Sequence, residues 1–118
     1  MTLVLVLGAS GKTGQAVSRA LAARGIDVRP GGRPDIDLET GRGLAAAMDG
    51  VDAVYHLAPN VHPDEVGMAE RAVQAAAAAG VVRFGFHSVL RPEDAAMPHH
   101  WRKHVAERRI REVMPSAT

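Results

Sequence analysis

Three glycines, Gly8, Gly11 and Gly14, form the pattern in this sequence that points most directly to chemistry. They follow the apolar run Leu3–Leu7 and precede an amphipathic segment from Gln15 to Arg24, which predicts a strand, a turn and a helix in that order. In such a unit the first glycine permits a tight turn, the second lets a pyrophosphate approach the backbone, and the third lets the helix pack close to the strand. The free N–H groups of the first helical turn then face the anion. The spacing therefore predicts a binding loop for a dinucleotide.

The same loop contains Gly11-Lys12-Thr13, a tripeptide that also occurs in nucleoside triphosphatases. Their Walker A loop requires another glycine five residues earlier, and that position holds Val6, inside the predicted strand. The spacing therefore favours a dinucleotide over a nucleoside triphosphate. A glycine-rich turn without a ligand remains the alternative.

Composition limits the classes to which the protein can belong. The 118 residues are 47% hydrophobic and only 3% aromatic, which suits one compact domain with an aliphatic core. A net charge of +1 does not favour nucleic acid as a partner, and the absence of cysteine excludes a disulfide scaffold and a thiolate metal site. The apolar runs are too short for a signal peptide or a membrane span. We expect a cytoplasmic protein without a membrane partner.

Apolar runs and helical periodicities alternate along the chain. Strands are predicted at Leu3–Leu7, Ile26–Arg29, Asp35–Leu38, Val51–Leu57 and Val81–Ser88, and helices at residues 13–24, 40–48, 63–79 and 98–113. The alternation predicts one α/β domain, residues 1–118, with a Rossmann-type doubly wound parallel sheet of about five strands in the order 3-2-1-4-5. Only about five residues separate the second and third strands, too few for a crossover helix. The third strand is therefore either a loop or irregularly paired.

Four segments resemble the atypical short-chain dehydrogenase/reductases, and within them the NmrA-like NAD(P)-binding proteins. The segments are residues 5–14, Gly50–Leu57, Ala79–Phe84 and His100–Glu107. The resemblance covers nearly the whole chain and implies an NADP-dependent oxidoreductase that transfers hydride to a small carbonyl, imine or quinone-like substrate. Two alternatives are a non-catalytic dinucleotide sensor with a regulatory role and an oligomeric protein that no longer binds cofactor.

The resemblance also implies cofactor-binding residues. The pyrophosphate would lie on the loop that contains Gly8, Ser10, Gly11, Lys12, Thr13 and Gly14. No acidic residue stands at the end of the second predicted strand to hold the ribose of NAD, whereas Arg29 and Arg33 could meet the 2′-phosphate of NADP. NADP is therefore expected over NAD, unless these arginines are solvated surface charges. Adenine would lie against Asp37 and Leu38, and the nicotinamide ribose over Leu57, Ala58 and Pro59.

The catalytic set of the family is only partly matched. Its enzymes use a serine followed later by Tyr-x-x-x-Lys, and Ser88 and Lys103 fit the serine and the lysine. His99 stands where the tyrosine is expected, and the only tyrosine, Tyr55, lies in a predicted strand. His99 could replace the tyrosine as proton donor, because imidazole exchanges protons near neutral pH. The alternative is a surface histidine at a helix start.

The remaining charged and titratable residues do not form a recognisable site. His100 and His104 have a helical spacing that can bind zinc, but no third ligand accompanies them, so no metal site is predicted. His56 and His87 are expected to be hydrogen-bonded residues of the core or its rim. Glutamates interrupt the basic residues of the last predicted helix, which favours a solvated face.

The length of the chain differs from the family pattern. The relatives continue beyond the helix that follows the fifth strand, with further strands and a C-terminal substrate-binding region. In this chain the fifth predicted strand would be an open sheet edge, which is a site for pairing with another chain. A homo-oligomer is therefore expected, formed by edge pairing or by the last helix covering a neighbour.

Overall fold

A computed structural model describes residues 2–57, 62–88 and 96–118, except the side chain of His99. The predicted site residues Ala58 and Pro59 lie outside the described residues. The elements in chain order are β1 Leu3–Leu7, α1 Lys12–Ala23, β2 Asp27–Gly31, α2 Leu44–Ala47, β3 Ala53–His56, α3 Glu65–Ala78, β4 Arg83–Phe86 and α4 Pro98–Val113. Within the described residues, no helix is both long enough and apolar enough to cross a membrane.

The four strands form one parallel sheet in the order β2-β1-β3-β4. The chain leaves β1 on one side to form β2 and then crosses to the other side of β1 to form β3. This reversal leaves a crevice at the carboxyl ends of β1 and β3, where ligands of parallel α/β sheets bind. The predicted α/β class and its doubly wound, parallel character are confirmed.

The third predicted strand does not form. Over Asp35–Leu38 the structure shows only an isolated bridge between Asp37 and Arg42. The short connection explains the difference, since the Ile36 N–H donates to the Gly32 carbonyl, 3.0 Å away, in a tight turn directly after β2. The Ile36 side chain is still buried, so the apolar signal there reflects the core and not a strand.

The core has two parts because the sheet has two faces. Leu5, Leu7 and Val54 belong to the larger cluster, together with the buried alanines of α3 (Ala69, Ala72 and Ala76) and Ile110 of α4. Val4 and Val6 point to the opposite face and pack beneath α1. Both faces of β1 are therefore covered, which is why its sequence is apolar without alternation.

The outer edge of β4 is partly occupied by Thr118. The Thr118 N–H donates to the Phe84 carbonyl, 2.9 Å away, and the Phe86 N–H donates to the Thr118 carbonyl, 2.8 Å away. This is the hydrogen-bond pattern of parallel strands. One residue thus covers part of the edge that the sequence predicts to be open.

The expected homo-oligomer remains a prediction. Because pairing along β4 is reduced but not blocked by Thr118, light scattering during size-exclusion chromatography should give a mass above the 12.5 kDa of one chain. A single species of monomer mass at high protein concentration would contradict this expectation.

Candidate functional site

Gly8 and Gly14 are required by the way β1, β3 and α1 meet. Gly8 has a φ of +88°, and a Cβ there would collide with the Leu57 carbonyl oxygen. A Cβ on Gly14 would collide with the Gly8 carbonyl and lie 2.8 Å from the Ala9 Cα. Both glycines therefore perform the turn and packing roles predicted for them.

Gly11 is different, because the fold does not require a glycine at this position. It precedes α1 with a φ of −72° and a ψ of 167°, a conformation that any residue adopts. A Cβ at Gly11 would meet only the Gly8 carbonyl oxygen, at an ordinary contact distance of 3.5 Å. The missing side chain leaves backbone open to the neighbouring cavity, as close approach of an anion requires.

The first turn of α1 lacks a side-chain cap. Its N-cap residue, Gly11, provides no side-chain hydrogen bond, and no acidic residue lies in the turn. The adjoining loop is braced by the Gln15 side-chain amide, which donates to the Ser10 carbonyl at 2.9 Å. Backbone N–H groups and the positive end of the helix dipole are thus available to a negatively charged ligand.

A cavity of about 650 Å³ lies at the carboxyl ends of the strands. This volume is within the range of small-molecule and cofactor sites. The cavity is lined by the glycine loop (Gly8, Ser10, Gly11, Lys12, Thr13 and Gly14), by Gly31, Gly32 and Arg33, by the apolar Leu7, Ile36, Leu38, Leu57 and Met68, and by His62 and His87. Nine residues predicted to bind cofactor are thereby brought together.

Arg29, within β2, and Arg33, shortly after β2, differ in how firmly their side chains are held. Arg29 donates to the Ala47 carbonyl at 2.8 Å and to the Asp49 carbonyl at 2.6 Å, which ties β2 to the end of α2. Arg33 lines the cavity with a side chain that is 76% exposed, and its ionic contact with Glu39 is 3.4 Å long. Such an exposed contact stabilises little, so Arg33 is the arginine that a ligand phosphate can engage.

The two residues predicted to contact adenine, Asp37 and Leu38, differ in whether they line the cavity. Leu38 lines the cavity, and its carbonyl accepts a hydrogen bond from Arg71 at 2.9 Å. Asp37 is not among the lining residues. Its carboxylate accepts the Glu39 N–H at 2.9 Å, and its own N–H donates to the Arg42 carbonyl at 2.9 Å, so Asp37 shapes the loop.

Ser88 and Lys103 lie outside the cavity lining and contact other helices. The Ser88 hydroxyl donates to the Glu107 carboxylate on α4 at 2.8 Å. The Lys103 ammonium forms a buried ion pair with Glu65 of α3, with side chains 1% and 0% exposed. The catalytic roles expected of Ser88 and Lys103 remain predictions, as does that of His99, whose side chain is outside the described residues.

His56 is a fully buried imidazole on the α3–α4 face of the sheet. It stacks between the rings of Phe84 and Phe86, with centroids 6.0 and 5.7 Å away, and neither ring nitrogen has a hydrogen-bond partner among the described residues. Burial, and then the positive charge of Lys103, lower the pKa of His56 to about 3. The core placement expected from the sequence is observed, without the side-chain hydrogen bond.

This buried imidazole should make the protein less stable in acid. In the unfolded chain this imidazole takes up a proton near pH 6.5, but in the folded protein it stays neutral until about pH 3. The contribution of His56 to the free energy of unfolding is therefore fully present above pH 6.5 and is lost as the pH falls toward 3. The total change is on the order of 5 kcal/mol in the free energy of unfolding. In urea denaturation across this pH range, the free energy of unfolding of His56→Phe should depend less on pH than that of the wild-type protein. Parallel profiles for the two proteins would contradict the assignment.

Sequence reasoning missed two contacts made by cavity-lining histidines. The Tyr55 hydroxyl lies 2.9 Å from Nδ1 of His87, and His62 Nε2 lies 3.0 Å from the Glu39 carboxylate. The first contact joins the ends of adjacent strands, because Tyr55 pairs with Gly85 in the parallel register. A correct prediction of this register would have indicated the contact, since the register places positions 55 and 87 near each other at the carboxyl edge of the sheet.

Comparisons with known proteins agree with this geometry. A short-chain dehydrogenase/reductase superfamily protein from Agrobacterium tumefaciens, with bound NAD, is 30% identical, has a TM-score of 0.73 and matches 93% of this chain and 44% of its own. Triphenylmethane reductase from Citrobacter sp., complexed with NADP(H), is 22% identical at a TM-score of 0.71 over 96% of this chain and 46% of its own. NmrA, a negative transcriptional regulator, is 18% identical at a TM-score of 0.79 over 99% of this chain and 44% of its own. No curated protein sequence gives a match.

The chain spans less than half the length of each of these three proteins. The reductase and NmrA share its fold, and the resemblance to short-chain dehydrogenase/reductases is confirmed. The model of the NAD dependent epimerase/dehydratase family matches residues 4–88, which include most of β1, the glycine loop and the carboxyl ends of β3 and β4. The chain therefore belongs to the NAD dependent epimerase/dehydratase family.

Proposed function

We propose that this protein binds NADP(H) in the cavity and acts as an oxidoreductase on a small carbonyl, imine or quinone-like substrate. The observation that carries the proposal is Gly11, a glycine that the fold does not need, at the uncapped start of α1 and on the cavity wall. Backbone N–H groups there would hold the pyrophosphate. When bound, the cofactor supplies a hydride.

The choice of NADP over NAD rests on Arg33. Its exposed guanidinium lies on the cavity wall and has a weak partner in Glu39, which a 2′-phosphate would replace with a stronger, charge-assisted contact. β2 ends in Arg29-Pro30-Gly31, so no carboxylate stands at that end to hold the ribose diol of NAD.

Calorimetric titration with NADPH and NADH tests this proposal. The wild-type protein should bind NADPH more tightly than NADH, and Arg33→Ala should weaken NADPH binding by about 10-fold, or about 1.4 kcal/mol, while NADH affinity stays unchanged. Arg83→Ala, an exposed arginine at the opposite end of the sheet, is the matched control. Unchanged NADPH affinity in Arg33→Ala would remove the basis for the choice of cofactor, and no binding of either dinucleotide would overturn the proposal.

A second candidate function is a dinucleotide sensor without turnover. It is favoured by the contacts of Ser88 and Lys103, which engage α4 and α3 and not the cavity. The likeness in fold to NmrA is compatible with it. NADPH binding without reduction of any added acceptor would distinguish the sensor from the oxidoreductase.

A further inference from the structure

A phenol and an imidazole meet where β3 and β4 end. The Tyr55 Oη and His87 Nδ1 atoms are 2.9 Å apart, and the two rings are tilted by 48° with centroids 6.1 Å apart. The backbone N–H of His87 donates to the His56 carbonyl at 3.0 Å. The backbone at His87 therefore continues the pairing of β3 with β4. The pair is therefore anchored on rigid sheet.

The Tyr55 ring lies over Gly85 of the neighbouring strand. The two residues are opposite each other in the parallel register, and a Cβ on Gly85 would lie 3.6 Å from the Tyr55 ring, an ordinary contact distance. The phenol lies across β4 and reaches His87, two residues further along the chain. Tyr55 points away from the buried face of β3 that holds Val54 and His56.

His87 belongs to the wall of the cavity that contains the glycine loop, and Tyr55 is not a lining residue. The phenol therefore engages one ring nitrogen, while the imidazole itself borders the ligand space. Among the described residues, Nε2 of His87 has no hydrogen-bond partner. A ring held through Nδ1 with Nε2 available is the arrangement found where histidine exchanges protons with a substrate.

The other imidazole on the described cavity wall is engaged. His62 also lines the cavity, but its Nδ1 accepts the Asp64 N–H at 2.9 Å and its Nε2 contacts Glu39 at 3.0 Å. Lys103 is buried against Glu65. This leaves His87 as the imidazole on the described cavity wall with a ring nitrogen not already bonded.

We propose that His87 is the proton donor to the oxygen of a carbonyl substrate, and that Tyr55 is its positioning residue. This inference rests on the proposed function. When bound, NADPH would supply the hydride that bonds to the carbonyl carbon, and the π electron pair of the carbonyl would move to oxygen. The oxygen takes the Nε2 proton of the imidazolium, which leaves an alcohol, NADP⁺ and a neutral imidazole. Nδ1–H then still donates to Tyr55, and a proton from water restores Nε2–H.

The activities of matched variants test whether His87 is the proton donor. Wild-type protein, His87→Gln and Tyr55→Phe are assayed by NADPH absorbance with benzaldehyde and a set of aliphatic aldehydes and ketones, after calorimetric measurement of NADPH affinity. His87→Gln should lower kcat by about 100-fold or more and Tyr55→Phe by about 10-fold, with KM and NADPH affinity unchanged. His104→Gln, a histidine on α4, is the control and should match wild type.

A second measurement does not depend on turnover. The ¹⁵N chemical shifts of the His87 ring, recorded without cofactor, report which nitrogen carries the proton. Tyr55→Phe should increase the fraction with the proton on Nε2, because the acceptor for Nδ1–H is lost. Unchanged shifts would overturn the role of Tyr55.

The outcomes separate the two proposals. If NADPH binds but no carbonyl compound is reduced, or if His87→Gln keeps the wild-type kcat, the donor role of His87 is overturned and dinucleotide binding stands. If neither dinucleotide binds the wild-type protein, the proposed function fails and this inference fails with it.

Discussion

Gly11→Val should abolish most NADP(H) binding and leave the protein folded. The backbone at Gly11 is extended, which suits a β-branched residue, and the added atoms meet no protein backbone closer than 3.5 Å at Cβ. They would instead occupy the space through which a pyrophosphate approaches the α1 N-terminus. We expect NADPH affinity to fall by about 100-fold, or about 2.7 kcal/mol, in calorimetric titration.

Two control variants make this result specific. Gly14→Ala places a methyl group against the Gly8 carbonyl and should lower the free energy of unfolding by about 1–3 kcal/mol, because backbone must shift. Ala22→Val adds a similar apolar group to an exposed position of α1, distant from the loop in sequence, and should leave NADPH affinity unchanged. Wild-type affinity in Gly11→Val would remove the observation on which the proposed function rests.

Lys103→Met should destabilise the protein by about 3–5 kcal/mol, because it leaves the Glu65 carboxylate buried without the ammonium group. Both side chains are almost completely buried, and the Lys103 Nζ also lies 5.0 Å from the centre of the Phe86 ring. The double variant Lys103→Met, Glu65→Leu removes both charges and should recover most of the lost stability. Urea denaturation at neutral pH measures the free energy of unfolding of the wild-type protein, the single variant and the double variant.

The same variants decide between two roles for Lys103. If the lysine holds the cofactor, as the resemblance implies, Lys103→Met should weaken NADPH binding while the free energy of unfolding changes little. If it joins α3 to α4, as the ion pair indicates, the loss should be one of stability and the double variant should bind NADPH. A stable Lys103→Met protein with impaired binding would contradict the structural role.

Local features of the fold were predictable because each depends on few neighbouring residues. The strand β1, the turn at Gly8 and the start of α1 are encoded within a dozen residues, and their positions agree with the structure. Gly25 and Gly80 follow α1 and α3 closely and have φ values of +76° and +77°, the left-handed conformation in which glycine commonly ends a helix. By contrast, Asp35–Leu38 has a strand-like composition but forms a turn, because the connection from β2 is too short for a crossover.

The candidate site was predictable only in part, for the same reason. Six loop residues are near one another along the chain, so their spacing alone indicates a shared site. Lys103 and Glu65 are 38 positions apart, and their pairing depends on how α4 is rotated against α3. Matching Lys103 to a family position carried no information on that rotation.

The sequence by itself determined the family and the parallel α/β class, and it predicted phosphate binding by the glycine loop, since apolar runs and glycine spacing act over short distances. Only the tertiary structure decided that Gly11 is open to a cavity, that Arg29 is held by two carbonyls while Arg33 is exposed with a weak contact to Glu39, and that Tyr55 reaches His87. These properties depend on strand register and helix packing, which bring together residues that are distant in the chain. The proposed chemistry of the site therefore rests on the fold, and its expected cofactor rests on the sequence and the fold together.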